Sequence, residues 1–182
     1  MTYTVQFAGV AGYTPVANTD AGFTTANGTA LAIPTPPASL GMTIQGTDPT
    51  YGTGEFICLL GVAGTAVGSL VIWDATTYQT TLGPSTANLA RPVAVAMSAS
   101  LAGVFGWYQI AGSAVVLKST NHNIQPNVAV GVYSTGKIAT TSSSGNGKEI
   151  LGARFTAAAT AASSATTAVI VINQPHLEGR TT

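Results

Sequence analysis

Two histidines, one cysteine and six carboxylates are nearly all the acid–base and metal-binding side chains in this chain of 182 residues. Their spacing decides what they can do. A Ser-His-Asp relay needs a histidine that the fold brings to a nucleophile. His122 lies in Asn121-His122-Asn123, which reads as a polar turn, and His176 follows Pro175. Both read as exposed and idle. No serine stands in a Gly-x-Ser-x-Gly elbow, and no His-Glu-x-x-His or Cys-x-x-Cys spacing offers a metal site. Gly145-Asn146-Gly147-Lys148 shares part of a phosphate loop, but that motif wants glycine at Ser142 and Ser or Thr at Glu149, so it reads as a hairpin loop. Asp48, Glu55, Asp74 and Glu149 are the carboxylates from which a general acid–base pair would be drawn. Nothing in their spacing favours one. Asp48-Pro49 starts a turn, and Asp74 follows Trp73 at the close of a strand. Cys58, inside Phe56-Ile57-Cys58-Leu59-Leu60, reads as a small buried hydrophobe, and a lone cysteine makes no internal disulfide. The expectation is a protein without cofactor, metal or catalytic residues, and not an enzyme; a hydrolase with dispersed residues is the alternative.

Stepping out from single residues, the whole chain is poor in charge. Six Lys+Arg and six Asp+Glu make 7% charged, against roughly a quarter in an average soluble domain. Net charge is zero. No basic stripe exists to neutralise phosphates, so nucleic acid is not an expected partner. Charge normally keeps a lone protein soluble, so a surface this neutral implies one that faces other protein. The N-terminus lacks the basic and apolar regions of a secretory signal, and Asn27-Gly28-Thr29 reads as a turn rather than a glycosylation site. Phe56 to Trp73 is free of charge and nearly long enough to span a membrane. Its glycines and β-branched residues instead read as two strands joined through a Gly-rich turn, so no membrane is expected.

These residues must be held by β-structure. From Gly41 on, short apolar or alternating runs recur between turn signals: 55–62, 69–74, 76–82, 92–99, 106–118, 128–133, 137–141, 149–157 and 168–173. That pattern predicts an all-β domain over 41–182, a small antiparallel β-barrel or sandwich. Phe155 to Ala162 has alanine enough for a short helix, weakened by Thr156 and Thr160. A faint internal repeat sets Leu70–Trp73, Tyr78–Leu82, Pro92–Ala99 and Gly106–Ile110 against Val130–Tyr133, Lys137–Thr141, Ile150–Ala157 and Val169–Ile172, offset by about 60 residues. Two hairpin-containing halves of equal plan would close a small barrel; chance recurrence of β-patterning is the alternative.

Residues 1–40 differ. Tyr3, Val5 and Phe7 alternate with Thr4 and Gln6, the period of a half-buried strand. Closely spaced glycines, Asn and Pro follow, then Ile33-Pro34-Thr35-Pro36-Pro37, expected to be extended. This stretch reads as an extended N-terminal arm that docks on a neighbour. Tyr3, Phe7, Tyr13 and Phe23 are its expected interface residues. In the β-domain Trp107 and Tyr108 join them: side chains alternate along a strand, so one of the two is core and the other faces outward or into an interface, where Trp and Tyr are enriched.

Gly52-Thr53-Gly54-Glu55-Phe56-Ile57 with Leu59-Leu60-Gly61-Val62-Ala63, Pro92–Met97 with Gly106–Gly112, and Val171-Ile172-Asn173-Gln174-Pro175 resemble the head-decoration and related capsid-associated structural proteins of tailed bacteriophages. The resemblance spans about 41–179 and leaves the arm uncovered. It implies a β-rich protein on the exterior of an icosahedral capsid, made in the host cytoplasm. Its partners would be the major capsid protein and itself, as a homotrimer. The role would be that of a cement protein or a fibre base, and the family supplies no catalytic residues. An adhesin or carbohydrate-binding module on the virion surface, using exposed Tyr or Trp and the loops at 121–125 and 142–146, is the alternative.

Overall fold

The computed structural model describes residues 6–7, 38–100, 102–144, 147–156 and 162–179. Eleven strands and one turn of helix follow in chain order: β1 (Gln6–Phe7), β2 (Thr43–Asp48), β3 (Gly52–Leu60), β4 (Leu70–Trp73), β5 (Thr80–Leu82), β6 (Val93–Ala96), β7 (Phe105–Leu117), β8 (Ala129–Ser134), β9 (Lys137–Thr140), α1 (Thr141–Ser144), β10 (Glu149–Phe155) and β11 (Thr167–Leu177). The domain is all-β, a curled antiparallel sheet, as its alternating runs predict. Phe56–Trp73 forms β3 and β4 with a Gly-containing connection between them, and no described helix is long and apolar enough to cross a membrane. The alanine-rich stretch does not begin as a helix: Phe155 ends β10, opposite Ile170. The run expected from Thr76 starts as a strand only at Thr80, because the Asp74 side chain turns the chain first.

The repeat is present in the pairing. In the first half β4 pairs β5, β4 pairs β6, β6 pairs β7, and β7 pairs β3, all antiparallel. In the second half β8 pairs β9, β8 pairs β10, β10 pairs β11, and β11 pairs β7. Each half returns on its own first strand through one parallel bridge, Leu60 to Gln79 in the first and Lys118 to Ile138 in the second. Strand β7 belongs to both halves, the last strand of one and the first of the other.

A strand that serves two curled sheets must bend. The bend in β7 sits at 109–113, where the register against β3 shifts. Gln109, 2% exposed, occupies it. Its Nε2 donates to the carbonyls of Ala111 at 3.0 Å and Ser113 at 2.9 Å, standing in for ladder bonds the bulge disrupts. Gly112 has φ of 98°, and a Cβ there would lie 2.5 Å from the Thr53 carbonyl oxygen. Only glycine fits that approach.

Three buried clusters divide the interior. Ile57, Leu59, Val71, Ala94, Ala96, Tyr108 and Ile110 fill the first half. Val116, Val130, Val132, Ile138, Ile150, Phe155 and Ile170 fill the second, together with Leu70, Val93 and Val95 from the first. The third, Phe56, Cys58, Met97 and Trp107, lies on the other face of β3 and β7, packed against Ala38, Ile44 and Tyr51. Residues 38–51 thus roof the sheet.

Candidate functional site

The residues with chemical potential are dispersed. The His122 ring rests on Tyr133, centroids 4.2 Å apart, while His176 is exposed in β11 opposite Leu151. Among the described residues no group of three or more His, Cys, Asp and Glu gathers where it would hold a metal ion. The carboxylates serve turns and strand contacts. Asp48 Oδ1 accepts from the backbone N–H of Thr50 (2.7 Å) and Tyr51 (2.9 Å), fixing the β2–β3 hairpin. Asp74 Oδ1 accepts from Thr76 and Thr77, and Arg91 Nη1 donates to its Oδ2 at 2.8 Å. The Thr77 and Thr76 amides, then Arg91, hold the Asp74 carboxyl down to about 2. Glu55 Oε2 accepts from Gln174 Nε2 at 3.2 Å, tying β3 to β11. Cys58 is fully buried, and burial pushes its thiol up to about 11; its Sγ lies 3.7 Å from the Ala38 carbonyl oxygen. This matches the expected buried hydrophobe.

The expected interface aromatics separate into two groups. Tyr3, Tyr13 and Phe23 lie outside the described residues, and Phe7 is described through its backbone in β1. Trp107 and Tyr108 require a correction. They do point to opposite faces, but both faces are covered, and the side chains are 5% and 1% exposed. Tyr108 faces the first-half interior, and Trp107 sits under the roof of residues 38–51. Neither presents itself to a partner. The sequence shows the alternation of a strand, not the segment that folds over it.

The described sheet ends with β1 outside β2. In each half the hairpin strand comes home: Thr80 Oγ1 donates to the Leu60 carbonyl at 2.8 Å beside β5, and the Ser119 N–H donates to the Ile138 carbonyl at 3.0 Å beside β9. Strand β2 has no such return. Its inner side is paired with β3 along its full length, from Thr43 opposite Ile57 to Asp48 opposite Gly52. Among the described residues, β1 pairs with its outer side at Gly46 and Thr47. Thr43, Gln45 and Thr47 are exposed, and Ile44 packs inward on the roof cluster. Edge strands are usually blunted by charge, proline or a bulge. Strand β2 carries its one charged residue, Asp48, at its end next to Pro49, and its pairing with β3 has no register shift. Next to this edge Met42 is 49% exposed.

The wider surface is equally neutral. Among the described residues the exposed charged side chains are Arg91, Lys137 and Arg154, the other charged residues apart from Lys118 being half-buried, and Arg91 is engaged by Asp74. Lys118 is interior. No protein-family model matches the chain, and no curated protein matches it either.

Proposed function

We propose that this chain is a virion structural protein that binds the outer surface of a phage capsid, as a decoration or cement protein or as a fibre base. The observation that carries the proposal is a surface with few exposed charges: among the described residues the exposed charged side chains are Arg91, Lys137 and Arg154. A protein made to stand alone in water gains solubility from charge. A protein made to be surrounded by neighbours does not need it, because burial of neutral surface gives affinity without side-chain charge. Many weak neutral contacts of this kind add up over a lattice through avidity. The resemblance of 52–63, 92–112 and 171–175 to capsid-associated proteins supplies the identity of the neighbours: the major capsid protein and further copies of the chain.

A second reading, a glycan-binding module, draws on one observation. Tyr133, 39% exposed, offers a ring steadied by His122 beside the polar loop at 121–125. One preparation separates the two. Capsid binding by the full chain is expected to change by less than about threefold between about 0.1 M and about 0.5 M salt, over which the Debye length shrinks by roughly half. Collapse of binding over that range removes the neutral-contact mechanism. Hits on a glycan array, without capsid binding, favour the module instead.

A further inference from the structure

The loop that joins β7 to β8 has a sequence pattern of its own over residues 121–127. Asn121, Asn123, Gln125 and Asn127 are exposed, His122 and Pro126 are half-buried, and Ile124 is buried. Every exposed position of the run is therefore a primary amide. The loop is also held in one shape. Ile124 belongs to the second-half core. Asn121 and Asn127 take left-handed backbone, with φ of 67° and 59°, which asparagine adopts more readily than most residues. The Asn121 N–H donates to the Ser163 carbonyl at 2.8 Å, and the Pro126 ring fixes its own φ.

Tyr133, in β8, stands beside this loop. Among the described residues, the exposed large hydrophobic side chains are Met42, Val67, Leu151 and Tyr133, and only the last is aromatic. The His122 ring props it, with centroids 4.2 Å apart and planes tilted by 60°. A second tie joins the start of the loop to the end of β8, where Ser119 Oγ and Ser134 Oγ are 3.0 Å apart and hydrogen-bonded. The ring and the amides on either side of His122 thus belong to one fixed surface. That surface is neutral at its base. From Ser119 to Gly136 the chain has no carboxylate, lysine or arginine, and Lys137 follows across the hairpin from Ser134.

A neutral sugar asks for these two parts. Its ring has an apolar C–H face that packs on an aromatic side chain, and a rim of hydroxyls that both donate and accept. A primary amide also does both, whereas a charged side chain does only one. We propose that Tyr133 and the amides of Asn121 and Asn123 form a binding site for neutral oligosaccharides, the ring stacking on one sugar and the amides bonding its hydroxyls. Gln125 and Asn127 continue the row of amides along the loop, which suits a chain of sugars rather than a single one. The proposal gives the glycan-binding reading its site and ligand class, and rests on that reading. It is independent of capsid binding.

The test uses the full chain and soluble sugars, without any capsid. Maltoheptaose, mannohexaose and N-acetylchitohexaose are titrated by calorimetry, with a hyaluronan oligosaccharide as the acidic counterpart. Sugar concentrations reach about 10 mM, enough to half-saturate a site of millimolar Kd. Binding of at least one neutral chain is expected. Tyr133→Ala is expected to weaken it by about tenfold or more, through loss of the stacking ring. Tyr133→Phe keeps the ring and is expected to stay within about threefold of wild type. Asn123→Ala is expected to weaken binding by about two- to tenfold, the loss of one neutral hydrogen bond. Both positions are exposed, so the thermal midpoint of each variant is expected to stay within about 2 °C of wild type. If no neutral chain binds, the site and the glycan reading fall together. If a neutral chain binds equally well to Tyr133→Ala and Asn123→Ala, the glycan reading stands and this site is overturned. Binding confined to the hyaluronan oligosaccharide overturns the neutral class, since charge would then do the recognising.

Discussion

Lys118 carries an ammonium group into the interior, 1% exposed. Its Nζ donates to the carbonyls of Ser119 at 2.9 Å, Ala165 at 3.2 Å and Ser163 at 3.5 Å, so three backbone oxygens take the place of water. The group staples the end of β7 to the turn before β11. Hydrogen bonds offset part of the cost of burying a cation but not all of it, and desolvation accordingly lowers the Lys118 pKa. The unfolded chain then binds more protons than the folded one below the ordinary lysine value, so stability due to this group rises as pH climbs toward 10.5. Cys58 works the other way. Its folded pKa is raised to about 11, so its contribution is lost as pH rises through the alkaline range. Comparing wild type with Lys118→Met cancels the Cys58 term. The melting midpoint of wild type relative to the variant is expected to climb between about pH 7.5 and about pH 10. A constant difference across that range would mean that folding does not depress the Lys118 pKa and that the three carbonyls replace water in full. Neither the burial of this lysine nor that of Trp107 is legible in the sequence, because each depends on a segment distant in the chain arriving over it.

At the scale of elements, β7 is the strand on which both halves depend. Its length was legible, since 106–118 reads as one alternating run and the strand spans Phe105–Leu117. Its bend was not. Gly112 looks like any glycine in a strand until the Thr53 carbonyl and the Gly54 Cα are seen pressed against it. Gly112→Ala forces a side chain into a left-handed backbone conformation as well as into that contact, at a cost of about 1–3 kcal/mol. The thermal midpoint is expected to fall by about 2–12 °C, at about 2–4 °C per kcal/mol for a chain of this size. An unchanged midpoint would mean that β3 yields easily and that the bend does not need glycine. The hairpin ends were blurred for a related reason. The Asp74 side chain caps the Ala75–Thr77 turn and delays β5 to Thr80, and a carboxylate before Ala-Thr-Thr signals a turn without stating its length.

At the scale of the molecule, the three clusters enclose two curled halves and the roof laid over one of them. Among the described residues, every buried residue in those clusters lies at Phe56 or beyond, and the partly buried residues packed against them begin at Ala38. The described contact of earlier residues is the short β1 pairing. Removing residues 1–37 is therefore expected to leave the far-ultraviolet β signature intact and to lower the midpoint by less than about 3 °C. Global unfolding of that truncation, seen by circular dichroism, would make the arm part of the core. A cut beyond Ala38 is a poor substitute, because the Ala38 carbonyl and the Gly41 amide both contact Cys58.

The sequence by itself determined that the protein is β throughout, where nine of its strands lie, and that charge is scarce. These are local properties: alternation, turn residues and composition are written along the chain and need no partner to be read. Only the tertiary structure decided that the two halves share a plan and β7 is common to both, that Trp107 and Tyr108 are both interior, and that a lysine is buried among carbonyls. Those outcomes depend on which strands meet and which segment covers them, and a period of two along a strand is the same whether its outer face meets water, a roof or another molecule.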